Sequence, residues 1–81
     1  MSYINLQFSP ELEFFLARSQ RRRALVYPIV DFPSIRHPIE SLGVPHTEVD
    51  LILANGQPET FAYQVQAGDK IAVYPPFCYL E

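Results

Sequence analysis

The residues able to do chemistry are few and fall in two places. Arg21, Arg22 and Arg23, with Arg18 nearby, form the only charge cluster. Read functionally, it is a patch that touches phosphates. Each phosphate neutralised on single-stranded RNA adds a salt slope of roughly 0.7, so such a patch binds weakly and loses affinity in salt. The plainer reading is a solvated connector that balances Glu11 and Glu13. Tyr27, Phe32 and Tyr63 would stack on bases if exposed; aromatics of this kind more often pack in a core or at a sheet edge. The second place is His46, with Thr47, Glu48 and Asp50 around it. His37 is the only other histidine, and the carboxylates do not fall at a metal-ligand spacing. A role in structure or in domain docking, with His46 bonded to backbone and Thr47 capping a strand, is favoured over catalysis. Cys78 has no base beside it and reads as an incidental thiol. There is no glycine-rich phosphate loop and no Ser-His-Asp order. The expectation is no catalytic residue, no metal, no cofactor and no small-molecule substrate.

Composition limits what can carry these side chains. The chain has 81 residues, enough for one domain. Hydrophobic residues make up 48% and charged residues 19%, a globular balance. A chain this short hides only roughly 60–65% of its unfolded surface, which disfavours a deep, water-excluding site. The net charge of -3 provides no overall basic field. A single cysteine excludes an internal disulfide framework and a cysteine-rich zinc site. No apolar run approaches the roughly 18 residues of a membrane span, and no signal-peptide layout is visible. A cytoplasmic domain with no membrane partner is the default. Leu80-Glu81 matches the remnant of an expression tag. The expected domain is therefore 1–79, cut from a longer natural chain.

Ile4, Leu6 and Phe8 alternate with polar residues and predict a strand. Ser9 and Pro10 then suit a cap and a first helical position, and Leu12, Phe15 and Leu16 predict a short amphipathic helix from Pro10 to about Arg18. A strand is predicted over 24–30, with Pro28 arguing for a sheet edge. Ile35, Ile39 and Leu42 share one face of a helix that Gly43 can end. Its start is either Ser34 or, because Pro38 removes a donor, His37. A strand apolar almost throughout over 49–54 suits a buried central position. Asn55-Gly56 is a turn, 59–61 a short return strand, Ala67-Gly68-Asp69 a second turn and 70–74 the last strand, stopped by Pro75-Pro76. This order predicts an α+β fold: a mixed sheet of four to five strands, one main helix across one face, and a short extra helix after the first strand. With right-handed crossovers the first and last strands lie parallel at the centre, a β-grasp, ubiquitin-like layout.

The run Leu51-Ile52-Leu53-Ala54-Asn55-Gly56, followed by Ala67-Gly68-Asp69-Lys70 and Pro75-Pro76, resembles the sulfur carriers of molybdopterin and thiamine biosynthesis. A more specific resemblance rests on Pro10-Glu11-Leu12-Glu13-Phe14-Phe15-Leu16, the arginines, and Leu42 to Leu53 with its Gly-Val-Pro-His-Thr-Glu-Val-Asp run. These look like the Mut7-C ubiquitin-like domain and cover about residues 3–77. The resemblance implies a bacterial, non-catalytic accessory module ahead of a PIN-like Mut7-C ribonuclease domain, with RNA or that domain as partner. Arg18, Arg21, Arg22 and Arg23 are then the candidate RNA contacts, and His46, Thr47, Glu48 and Asp50 the candidate docking residues. A sulfur carrier ends in a slender diglycine that can enter an activating enzyme. Here no glycine follows Gly68, and Phe77 and Tyr79 are bulky. The expectation is carrier-like fold without carrier activity.

Overall fold

The structure, a computed structural model, describes residues 2–76. Cys78, the Phe77 and Tyr79 side chains and the Leu80-Glu81 pair lie outside the described residues. The first strand, β1 (Ser2–Phe8), follows the predicted alternation, burying Ile4, Leu6 and Phe8. β2 (Leu25–Ile29) runs antiparallel to it, with Pro28 opposite Tyr3. β3 (Leu51–Ala54) and β4 (Gln57–Glu59) form a hairpin, and β5 (Lys70–Tyr74) inserts between β1 and β3. The five-stranded order is β2-β1-β5-β3-β4. β1 and β5 are parallel in the middle, as the crossover argument requires. Pro28 therefore does lie on an edge strand.

One short helix, α1 (Arg36–Ser41), crosses the face built from Ile4, Leu6, Ile52, Ile71 and Val73. Ile35 and Ile39 enter the core with no measurable exposure. Neither expected start is used, since Ile35 takes the N-cap position. Pro38 is tolerated because the donor it lacks is not needed: the Ser34 carbonyl accepts from His37 N–H instead, at 3.1 Å. The helix ends where glycine was expected to end it. Gly43 N–H donates to Glu40 O at 3.0 Å and Val44 N–H to Ile39 O at 3.3 Å, a Schellman pair around the positive φ of Gly43.

Three further expectations are corrected. The segment after β1 is not one amphipathic α-helix to Arg18 but two 3-10 turns, Pro10–Phe15 and Arg18–Gln20. Leu12 N–H bonds Ser9 O and Leu16 N–H bonds Glu13 O, both three residues back. Ser9 gives no side-chain cap, its hydroxyl facing the Glu11 carboxylate. The return strand is 57–59 rather than 59–61. Asn55 and Gly56 both have positive φ, so the two-residue turn starts pairing at once, Gln57 opposite Ala54 and Pro58 opposite Leu53. Pro58 fits because β4 is the other edge. Finally, β3 is flanked on both sides yet covered on only one face. Ile52 and Ala54 are buried, while Leu51 stays 38% exposed. Among the described residues no helix is long and apolar enough to cross a membrane.

Candidate functional site

The two 3-10 turns and the bend after them hold the arginines. Arg21 is committed to structure. Its Nε donates to Leu16 O and its Nη2 to Phe14 O, each at 3.2 Å, satisfying carbonyls that the broken helix leaves open. Arg22 adopts a φ of 61°, and its backbone N–H donates to the Glu13 carboxylate. Arg18 and Arg23 are exposed. A groove of about 330 Å³ runs between Gln7, Phe8, Pro10, Glu13, Arg22 and Arg23. The Glu13 carboxylate inside it opposes a phosphate. The four arginines thus share a segment without converging on one anion. Of the aromatics weighed for stacking, Tyr27 and Tyr63 pack against the core and Phe32 is 54% exposed.

His46 sits in a 3-10 turn, His46–Glu48, that leads into β3. Its ring serves tertiary structure. Nδ1 lies 2.8 Å from Glu40 Oε2, and Arg36 Nε donates to Glu40 Oε1 at 3.0 Å. A carboxylate only accepts, so Nδ1 carries the hydrogen. Arg36 Nη2, 3.3 Å from the same nitrogen, is then a neighbour and not its donor. The His46 backbone N–H also reaches Glu40, and the ring meets Phe61 edge-on at 6.0 Å. The network clamps the turn to α1. Thr47, Glu48 and Asp50 are exposed, and the cap on β3 expected of Thr47 is not made, since Val49 N–H bonds His46 O. No group of histidine, cysteine and carboxylate side chains able to hold a metal occurs among the described residues.

His46 and then Arg36 hold the Glu40 carboxyl down at about 2, below its ordinary 4.5. A depressed carboxyl contributes stability above its unfolded value. That contribution is expected to be intact above pH 4.5 and lost between 4.5 and about 2. A carboxyl-detected NMR titration should place the Glu40 midpoint near 2, and His46→Ala should move it up toward 4.5. An unmoved midpoint would break the link to His46. The pair is exposed, so the effect on global stability is expected to be small.

A polar hub that sequence spacing did not suggest closes one end of the sheet. Asp69 is 7% exposed and gathers three donors: Asn55 Nδ2 at 2.9 Å, Tyr63 Oη at 2.7 Å and Gln66 N–H at 2.8 Å. Burial pushes its carboxyl up, but the bonds from Tyr63, Gln66 and Asn55 outweigh burial and hold it below its ordinary value. The same bond, with burial and the negative charge of Asp69, pushes the Tyr63 phenol up to about 12. Every partner is satisfied within the fold, so the hub joins turns rather than offering a site.

The sheet face opposite α1 has no covering element among the described residues. It presents Tyr3, Asn5 and Gln7 from β1, Val26 and Pro28 from β2, Leu51 and Leu53 from β3, Pro58 from β4, and Lys70, Ala72 and Tyr74 from β5. Lys70 is the only charge among these strand residues. A shallow groove of about 480 Å³ lies along it between Asn5, Gln7, Leu53, Lys70 and Ala72. The signal was in the sequence: β3 is apolar on both parities. That pattern fits two covered faces as well as one covered and one open.

Against known families, the profile of the Mut7-C ubiquitin domain matches residues 1–81. The chain belongs to the Mut7-C ubiquitin family. The match spans the 10–16 run, the arginine stretch and the 42–53 run on which the resemblance rested. Among solved structures, two crystal structures of small archaeal modifier protein 1 from Haloferax volcanii share the fold of this Mut7-C ubiquitin domain. One has a TM-score of 0.71 at 14% identity, covering 95% of this chain and 100% of that one. The other has a TM-score of 0.69 at 14% identity, covering 93% and 96%. At that identity the likeness shows the ubiquitin-like β-grasp fold alone. No curated protein matches the sequence.

Proposed function

We propose that this ubiquitin-like module is a non-catalytic accessory domain of a Mut7-C-type nuclease, and that it works by docking protein rather than by gripping RNA. The observation that carries the reading is the contrast between its two surfaces. The arginine segment spends the Arg21 guanidinium on the Phe14 and Leu16 carbonyls and sets the Glu13 carboxylate in the groove beside Arg22 and Arg23. The open sheet face is mostly apolar, and among the described residues nothing in the fold covers it. The largest exposed apolar patch of a small domain is often functional. The partner proposed is the Mut7-C nuclease domain that the sequence resemblance implies.

The test pairs two titrations of the 81-residue protein. One uses single-stranded RNA at low and high salt, followed by anisotropy. The other uses a separately expressed Mut7-C nuclease domain, followed by calorimetry. The expected result is heat with the nuclease domain and no salt-sensitive RNA binding. RNA binding that drops at least tenfold in the combined Arg18→Ala, Arg22→Ala and Arg23→Ala variant would overturn the docking reading in favour of RNA.

A further inference from the structure

Asn55-Gly56 carries chemistry of its own besides forming the β3–β4 turn. The backbone nitrogen that follows an asparagine is a nucleophile placed within reach of that residue's side-chain amide. When the next residue is glycine, no Cβ shields the nitrogen. Here both residues are exposed at the hairpin tip, and a Cβ built on Gly56 would meet nothing within 4 Å. Water therefore reaches both reacting groups.

The fold holds the amide at both ends. Asn55 Nδ2 donates to Asp69 Oδ1 at 2.9 Å, and Asn55 Oδ1 accepts from Lys70 N–H at 3.0 Å. The Asn55 backbone N–H donates to Lys70 O at 2.8 Å, which fixes the residue against the start of β5. Asp69 is fixed in turn by Tyr63 Oη and Gln66 N–H. Attack at Asn55 Cγ requires the carboxamide to leave these partners. The buried Asp69 carboxylate then loses one of its three side-chain-directed donors, so departure is opposed.

We propose that Asn55 is a site of spontaneous deamidation, closed while Asp69 and Lys70 hold its carboxamide and open when the contact between the two turns comes apart. In the open chain a solvent base takes the Gly56 N–H proton, and the nitrogen bonds to Asn55 Cγ. The Cγ–Nδ2 bond then breaks, and Nδ2 leaves as ammonia with a proton from water. The cyclic imide takes up one water at either carbonyl and becomes aspartate or isoaspartate. The balance is amide plus water to acid plus ammonia, with nothing oxidised or reduced. Neither product rebuilds the hub. Aspartate sets a second carboxylate against Asp69 where an amide donor stood. Isoaspartate adds a methylene to the main chain of a two-residue turn that sets Gln57 opposite Ala54. A chain that has reacted while open therefore does not close again in its original state.

The experiment incubates the 81-residue protein in mildly alkaline buffer, once folded and once in urea, and follows Asn55 by peptide mass mapping. A gain of about one dalton at Asn55 is expected in urea. In the folded protein it should come at least about tenfold more slowly, because only opened molecules react. Asp69→Ala should raise the folded rate toward the rate in urea. Asn55→Asp, which makes one product directly, should melt below the parent. If Asp69→Ala does not fold, the parent in its two states and Asn55→Asp still decide. Equal rates in the folded protein and in urea would overturn the lock, as would a folded Asp69→Ala variant that reacts no faster than the parent. No gain at Asn55 in urea would overturn the site itself. An Asn55→Asp chain as stable as the parent would overturn the claim that the product cannot rebuild the hub.

Discussion

Gly43→Ala is expected to lower stability by about 2–4 kcal/mol, or roughly 10–20 °C in melting temperature for a domain of this size. Two penalties coincide at this position. The backbone stands at φ +103°, where an L side chain is strained, and a Cβ would sit 2.7 Å from the Phe15 carbonyl oxygen. That oxygen is backbone in the 3-10 segment, so relief requires moving either α1 or the Pro10–Phe15 turn. Gly56→Ala is the control. It also has a positive φ, but nothing lies within 4 Å of the added atom. It should cost only the conformational part, about 1 kcal/mol. Chemical denaturation of the two variants checks the pair. Equal losses would show that the contact with Phe15 adds nothing to backbone strain.

Asp69→Ala should cost about 2–4 kcal/mol as well, by another route. Removal of the carboxylate leaves the Asn55 amide, the Tyr63 hydroxyl and the Gln66 N–H without their acceptor. Asn55 in turn accepts from Lys70 N–H at 3.0 Å, so the loss reaches the start of β5. Asp69→Asn keeps one acceptor oxygen and should cost less than half as much. The hub also sets two pH limits. Asp69 is held below its ordinary 3.8, so its contribution is present above that value and fades as pH falls through the folded one. Tyr63 is raised to about 12, so its contribution is complete below its ordinary 10 and is lost as pH climbs from 10 to 12. Denaturation midpoints across pH, with Tyr63→Phe as reference, measure both. A Tyr63→Phe curve parallel to the parent between pH 10 and 12 would contradict the assignment at the alkaline end.

Much of the fold was legible because its determinants are local. The alternation of Ile4, Leu6 and Phe8, the turn formers Asn55-Gly56 and Gly68, the stop at Gly43 and the edge position of Pro28 each act within a few residues, through sterics that a sequence displays directly. The 3-10 turns were not legible. Leu12, Phe15 and Leu16 satisfy an α-helical spacing, but the carbonyls of Phe14 and Leu16 are met by Arg21, seven and five residues on. Of the candidate site, the residue types were visible and their use was not. Arg21 and His46 both turned out to brace neighbouring segments, and the contacts that brace them come from residues the sequence separates.

The sequence by itself determined the strands, their turns, the family and the presence of one helix, since period and turn chemistry are properties of neighbouring residues. Only the tertiary structure decided which face of the sheet that helix covers and which charged groups are already spent. A six-residue helix screens one side of five strands and no more. Among the described residues nothing covers the apolar side chains on the other side, and burial, unlike periodicity, depends on what the rest of the chain brings against them.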